Sequence, residues 1–106
     1  MPRHAKRAYV LLQAGRCIDS GNYLDTMHAT RRQSERAITR PEILQVLKRG
    51  YHEQRKDRFD ELHGEWNYAV RGKTVDGRAI RIIISSEDSV LLIVAAMEWV
   101  PGSHRQ

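Results

Sequence analysis

The hydrophobic period of this chain changes once, at Trp66, and that change restricts its fold more than any other feature. Before Trp66 apolar residues recur at helical spacing: Val10, Ala14, Cys17 and Ile18, helped by Leu11, and later Ile43, Val46 and Leu47. From Trp66 they alternate. Trp66, Tyr68 and Val70 oppose Asn67, Ala69 and Arg71, and Ile80, Ile82 and Ile84 then oppose Arg81 and Ile83. A period of about 3.6 buries one stripe of a helix, and a period of 2 buries one face of a strand. A chain of 106 residues has room for one modest core. The segregated order predicts an α+β domain, with two to three N-terminal helices packed on a three-stranded, or slightly larger, twisted antiparallel sheet.

Local signals divide the chain further. Residues 4–19 read as a first helix that Gly21 stops. Asp25 or Thr26 is placed to cap a second helix. Thr39-Arg40-Pro41-Glu42 is a capping box with Pro in the first turn, and Gly50 ends the helix it starts. The polar run 51–65 reads as a loop or a short helix, either a solvated connection or a flap bearing substrate contacts. Val75-Asp76-Gly77-Arg78 is a hairpin turn, because Asp-Gly tolerates positive φ. Val90 to Met97 reads as a strand buried on both faces. Trp66 and Tyr68 share a face with Val70 and read as core, Arg78 as a surface residue, and Cys17 as a buried, inert thiol.

Charge points to a partner. Residues 1–58 carry 13 Lys+Arg against 6 Asp+Glu, whereas residues 59–106 carry 5 against 7, and Arg outnumbers Lys 14 to 4. Arg is the better bidentate phosphate ligand, so a basic half rich in Arg fits a polyanion such as RNA. No apolar run approaches membrane-spanning length and Met-Pro-Arg-His-Ala-Lys-Arg is not a secretory signal, so a cytoplasmic location is expected.

The segment His28 to Thr39, read as the second helix, stacks His28, Arg32 and Arg36 at i, i+4 and i+8. An imidazole that moves protons then lies beside two fixed cations that hold phosphate. Metal-free RNA cleavage needs a base, an acid and cations for the charged transition state. His28 is the candidate acid or base and Arg32 the candidate main phosphate ligand. Arg36, Arg71, Lys73 and Arg81 are candidate supporting contacts, although Arg71 and Arg81 also read as ordinary solvent-face strand residues. His52 and His63 with Asp57, Asp60 and Glu61 match no metal-ligand spacing, so neither metal nor cofactor is expected.

The pattern His-Ala-x-x-Arg-x-x-x-Arg-x-Ile (His28 to Ile38), the capped helix ending Lys48-Arg49-Gly50 and the stretch Trp66 to Arg78 together resemble a family of small bacterial domains of unassigned function, over roughly residues 24–99. That family is in turn similar to the RelE and MqsR ribonuclease toxins, of the superfamily that also groups barnase and colicin nucleases. Length predicts a single domain over 1–106, with a loose tail in 100–106; the resemblance implies a toxin-like core in 24–99 and leaves an extra N-terminal helix in 1–22 outside it. It implies metal-independent cleavage of RNA that leaves 2′,3′-cyclic phosphate ends, and a cognate antitoxin. The alternative expectation is a non-catalytic module for nucleic acid or for an acidic protein.

Overall fold

A computed structural model describes residues 5–26, 38–87 and 89–98. The order of elements is α1 (Val10–Ser20), β1 (Tyr23–Asp25), α2 (Arg40–Arg49), β2 (Tyr51–His52), a 3-10 turn (Gln54–Lys56), β3 (Arg58–Asp60), β4 (Glu65–Lys73), β5 (Ala79–Glu87) and β6 (Val90–Glu98). The expected second helix and the tail from residue 100 lie outside the described residues.

The meander β4-β5-β6 forms as expected, and the sheet is larger and mixed. Its strands run β1-β6-β5-β4-β2, with β3 also on β4. β1 lies parallel to β6, pairing Tyr23 with Leu91 and Asp25 with Ile93. Asp25 therefore serves a strand, and its carboxylate lies 3.7 Å from Arg40. The run 51–65, expected as loop or helix, holds two short strands that share one edge of β4. β2 pairs antiparallel at Val70 and Arg71, and β3 at Glu65 to Asn67. Tertiary pairing decides the state of such short segments, and their polar sequence carries no period that would reveal it.

The core lies between the helices and one face of the sheet. Val10 and Ala14 from α1 and Ile43, Val46 and Leu47 from α2 meet Tyr68, Val70, Ile80, Ile82, Ile84, Leu91 and Ile93. α2 starts as its sequence predicts: the Thr39 hydroxyl accepts from the Glu42 N–H and the Glu42 carboxylate accepts from the Thr39 N–H. α1 starts later than expected, because residues 5–9 run over the sheet edge instead. There the Arg7 N–H donates to the Tyr68 hydroxyl at 2.8 Å and the Lys6 ammonium stands 5.1 Å from the Trp66 ring.

Two other expectations change. β6 is buried on one face only, at Leu91 and Ile93, while Met97 is exposed. No described helix covers its other face. A bulge between β5 and β6 leaves Val94 unopposed, since Ile83 faces Ala95 while Ile84 faces Ile93. Arg78 is not a free surface residue: its guanidinium meets Glu42 at 2.7 Å and lies within ion-pair reach of Asp76 and Glu98. The turn before it is the expected one, with Gly77 at φ 87°. Cys17 is half-buried, its thiol donating to the Ser89 carbonyl.

The end of α2 comes unusually close to β4. The Gly50 N–H caps Val46 at 2.7 Å, and a Cβ on Gly50 would lie against the Arg71 carbonyl oxygen and 2.6 Å from that of Val46. Gly72 beneath it leaves room for Val46. This approach delivers the chain straight onto β4 as β2. Gly50→Ala places a methyl group against two backbone atoms that cannot move aside. It is expected to lower stability by roughly 2–3 kcal/mol, measured as a fall in the urea midpoint at unchanged slope.

Candidate functional site

The register across the sheet sets Tyr51, Arg71, Arg81 and Met97 in one row, Tyr51 opposite Arg71, Arg71 opposite Arg81, and Arg81 opposite Met97. By the alternation of β4 and β5 this row faces away from α1 and α2, onto the open side of the sheet. Two guanidiniums directly opposite each other repel. Glu53, just past β2, resolves the conflict. Its Oε1 accepts from Arg81 Nε at 2.8 Å, and its Oε2 accepts from Arg81 Nη2 at 3.1 Å and Arg71 Nη1 at 3.2 Å. All three side chains are largely buried, at 15–20% exposure. Burial pushes the Glu53 carboxyl up, but the hydrogen bonds from Arg81 and Arg71 and their charges outweigh it, and the carboxyl sits below its ordinary range.

The arrangement is a cation pair preset for an anion, with one carboxylate among the donors. Among the described residues Arg81 Nη1 has no partner. A planar guanidinium fork matches phosphate oxygens bidentately. The structure therefore brings Arg71 and Arg81 together. It leaves Lys73 exposed on the same face of β4, two residues beyond Arg71. His28, Arg32 and Arg36 lie outside the described residues.

Around the edge of the same strand lies a second group. The Asp57 side chain, fully buried, accepts from the Ala69 N–H at 3.0 Å and from His52 Nε2 at 2.8 Å, and pairs with the Lys6 ammonium at 3.1 Å. His52 is mostly buried and packs edge-on to Tyr68, with ring centres 5.7 Å apart. Tyr51, His52, Glu53, Gln54, Arg55 and Arg71 line an open depression at this edge, although the register sets His52 opposite Val70, on the helix-facing side, and Arg71 on the open side. Read from the sequence, this run is a solvated connection or a flap, and His52 and Asp57 figure only as candidate metal ligands, so Glu53 and the His52–Asp57 pair go unseen. The signal available was the pattern Tyr51-His52-Glu53 directly after a helix-ending Gly.

Elsewhere His63 donates to Asp60 at 2.7 Å but is largely exposed. Among the described residues no three metal-ligating side chains gather. A groove between α1 and the β5–β6 turn, lined by Arg7, Gln13, Arg16 and Ser86 over an apolar floor, has no histidine or carboxylate in its described lining. No helix among the described residues is long and apolar enough to cross a membrane.

Comparison with known families now places the chain. The pattern of a domain of unknown function, DUF4258, matches residues 26–98. The chain belongs to the DUF4258 family. The matched region takes in β2 to β6 and the whole Arg71–Glu53–Arg81 group, and begins after α1 and β1. It nearly coincides with the stretch that resembled a family of unassigned function. No curated protein and no solved structure matches the chain. In this DUF4258 domain the Lys6 contact to Asp57 therefore comes from outside the family's own region.

Glu53→Gln removes the charge that holds the two arginines together. At neutral pH it is expected to cost roughly 1–3 kcal/mol. The native carboxyl titrates below its ordinary value of 4.5, so the unfolded chain binds the proton first and the wild type loses stability as pH falls. The gap between the two proteins should be constant above about pH 5.5 and close through the acid range below 4.5, read from urea midpoints across pH.

Proposed function

We propose that this DUF4258 domain is a toxin-type, metal-independent endoribonuclease that works on the open face of its sheet. The observation that carries the reading is the Arg71–Glu53–Arg81 group: two guanidiniums, preset and partly desolvated, where a phosphodiester can lie. In RNA cleavage of this kind the 2′-oxygen attacks phosphorus, the bond to the 5′-oxygen breaks, and a 2′,3′-cyclic phosphate and a 5′-hydroxyl result. Charge on the phosphoryl oxygens rises in the transition state, and fixed cations in a water-poor site stabilise it more than they stabilise the ground state.

The resemblance of the sequence motifs to those of the RelE and MqsR toxins favours the same reading. In this reading His28 moves protons, Arg32 is the main phosphate ligand and Arg36 assists, all three assigned by sequence spacing. Arg71 and Arg81 flank the phosphate and Lys73 attracts the strand beyond it. The substrate is RNA in the cytoplasm. A cognate antitoxin, acidic where this face is basic, is the protein partner of such a toxin.

The test is cleavage of mixed-sequence RNA in excess chelator, with and without ribosomes, reading the product ends. The expected result is cyclic phosphate ends from the wild type. Arg81→Ala should cut the rate by about 10²–10³-fold, and His28→Ala by about 10²–10⁴-fold. RNA binding that weakens with salt, without cleavage by any of the proteins, would replace this reading with a non-catalytic binding module.

A further inference from the structure

We infer that Tyr51 is a stacking platform for a nucleobase, and that the row it opens holds single-stranded RNA with the bases on either side of the bound phosphate turned apart. The inference rests on the ribonuclease reading, which puts a phosphodiester on Arg71 and Arg81, and names the form of RNA that this site takes. Three observations carry it. The first is the order of the row. Tyr51 pairs with Arg71, Arg71 with Arg81 and Arg81 with Met97, so one line across β2, β4, β5 and β6 reads aromatic, cation, cation, thioether. Residues directly opposite each other in a sheet point to the same face, so all four stand on the open side. The second is exposure. Tyr51 is 55% exposed and Met97 38%, whereas the two arginines between them are largely buried. The third is a shared hollow: Tyr51, Glu53, Arg55 and Arg71 line the depression at this edge.

A structural role would place the Tyr51 ring differently. Tyrosine suits a strand chiefly where its ring packs on neighbours, and the aromatics that the core uses, Tyr68 and Trp66, lie on the other face of the sheet. Among the described residues the other exposed aromatic is Tyr9, which precedes α1 and belongs to no strand. The backbone around Tyr51 is fixed on both sides. Gly50 before it caps α2, and the Glu53 N–H two residues on donates to the Ala69 carbonyl. A ring with two torsions on a fixed backbone loses little freedom when a base stacks on it.

The spacing fits a single strand and not a duplex. Neighbouring strands lie about 4.8 Å apart, so the row from Tyr51 to Met97 spans about 14 Å. A phosphate set between the arginines then stands about 7 Å from the strands that carry Tyr51 and Met97, a distance that one sugar and its base bridge. A phosphodiester joins two nucleosides, so one base meets the Tyr51 ring and the other meets the Met97 thioether, a favourable sulfur–aromatic contact. In an A-form duplex the bases are held in the stack and cannot be turned out onto a side chain. Stacking tolerates every base, since each has a π-face, so the row selects strandedness and not sequence.

The experiment measures binding by fluorescence anisotropy with a mixed-sequence RNA strand carrying 2′-O-methyl groups, which its own 2′-oxygens cannot cut, with the same strand in a duplex, and with an abasic strand of equal length. Wild type should hold the single strand more tightly than the duplex or the abasic strand. Tyr51→Ala should weaken binding of the single strand about 5–100-fold and Met97→Ala about 2–10-fold, while Tyr51→Phe keeps the wild-type affinity. Neither alanine variant should change the affinity for the abasic strand, whereas Arg81→Ala should weaken both. Unchanged affinity of Tyr51→Ala for the base-bearing strand overturns the stacking role. So does an equal loss on the abasic strand, which marks a disturbed sheet edge, and so does a wild type that holds the duplex or the abasic strand as tightly as the single strand. Cleavage of the unmodified strand is read beside binding. Tyr51-dependent binding with no cleavage, with or without ribosomes, overturns the ribonuclease reading and leaves the platform standing. No binding of any strand overturns both.

Discussion

One buried carboxylate holds together the edge of the sheet beside the candidate site. β4 is paired along one edge by two strands too short to stand alone, β2 and β3, and between them its Ala69 N–H would face nothing. The Asp57 side chain fills that gap, taking the Ala69 N–H as a strand carbonyl would, while the Glu53 N–H donates to the Ala69 carbonyl at 2.7 Å. A buried donor left without an acceptor costs about 1–3 kcal/mol, a large share of the stability of a small domain. A side chain that completes a ladder is fixed as firmly as backbone. Whatever else Asp57 binds is fixed with it, and it binds His52 and Lys6.

The open face depends on the same edge at one remove. Arg71 and Arg81 are neighbours by register, and register is set by the isoleucines on the opposite face, which must all point into the core. The core therefore forces two like charges together, and the remedy comes from Glu53, which reaches them because Gly50 lets α2 end against β4. Packing on one face thus dictates the electrostatics of the other. The cation pair does not have to be assembled when a ligand arrives, because folding has already brought it together.

Much of this fold is legible from period and turn chemistry. The Thr39 capping box, the stripe Ile43, Val46 and Leu47, the Asp76-Gly77 turn and the alternation Ile80, Ile82, Ile84 each rest on residues within a few positions of one another, and local rules read them correctly. The misread elements share a different cause. Tyr23–Asp25 becomes a strand only because β6 lies beside it, and residues 51–60 become strands only because β4 offers an edge. Arg78 is drawn in by Glu42 from α2, a residue remote in sequence. The bulge at Val94 leaves no trace in a continuous apolar run. At the site, the alternation that points Arg71 and Arg81 the same way was visible, but Glu53 and Asp57 acquire meaning only through long-range pairing.

An anion entering the Arg pair meets a site already occupied by Glu53. It must displace a carboxylate from guanidiniums, an exchange of like for like that yields less binding than an empty cation pair would. That loss has a compensation. In the ground state a diester carries one charge, about what Glu53 offers, so the exchange is nearly neutral. In the transition state the phosphoryl group carries more charge than Glu53, and the exchange then favours it. The cost of displacing Glu53 is common to both states, so in the proposed reaction only the larger charge of the transition state lets binding energy appear as rate.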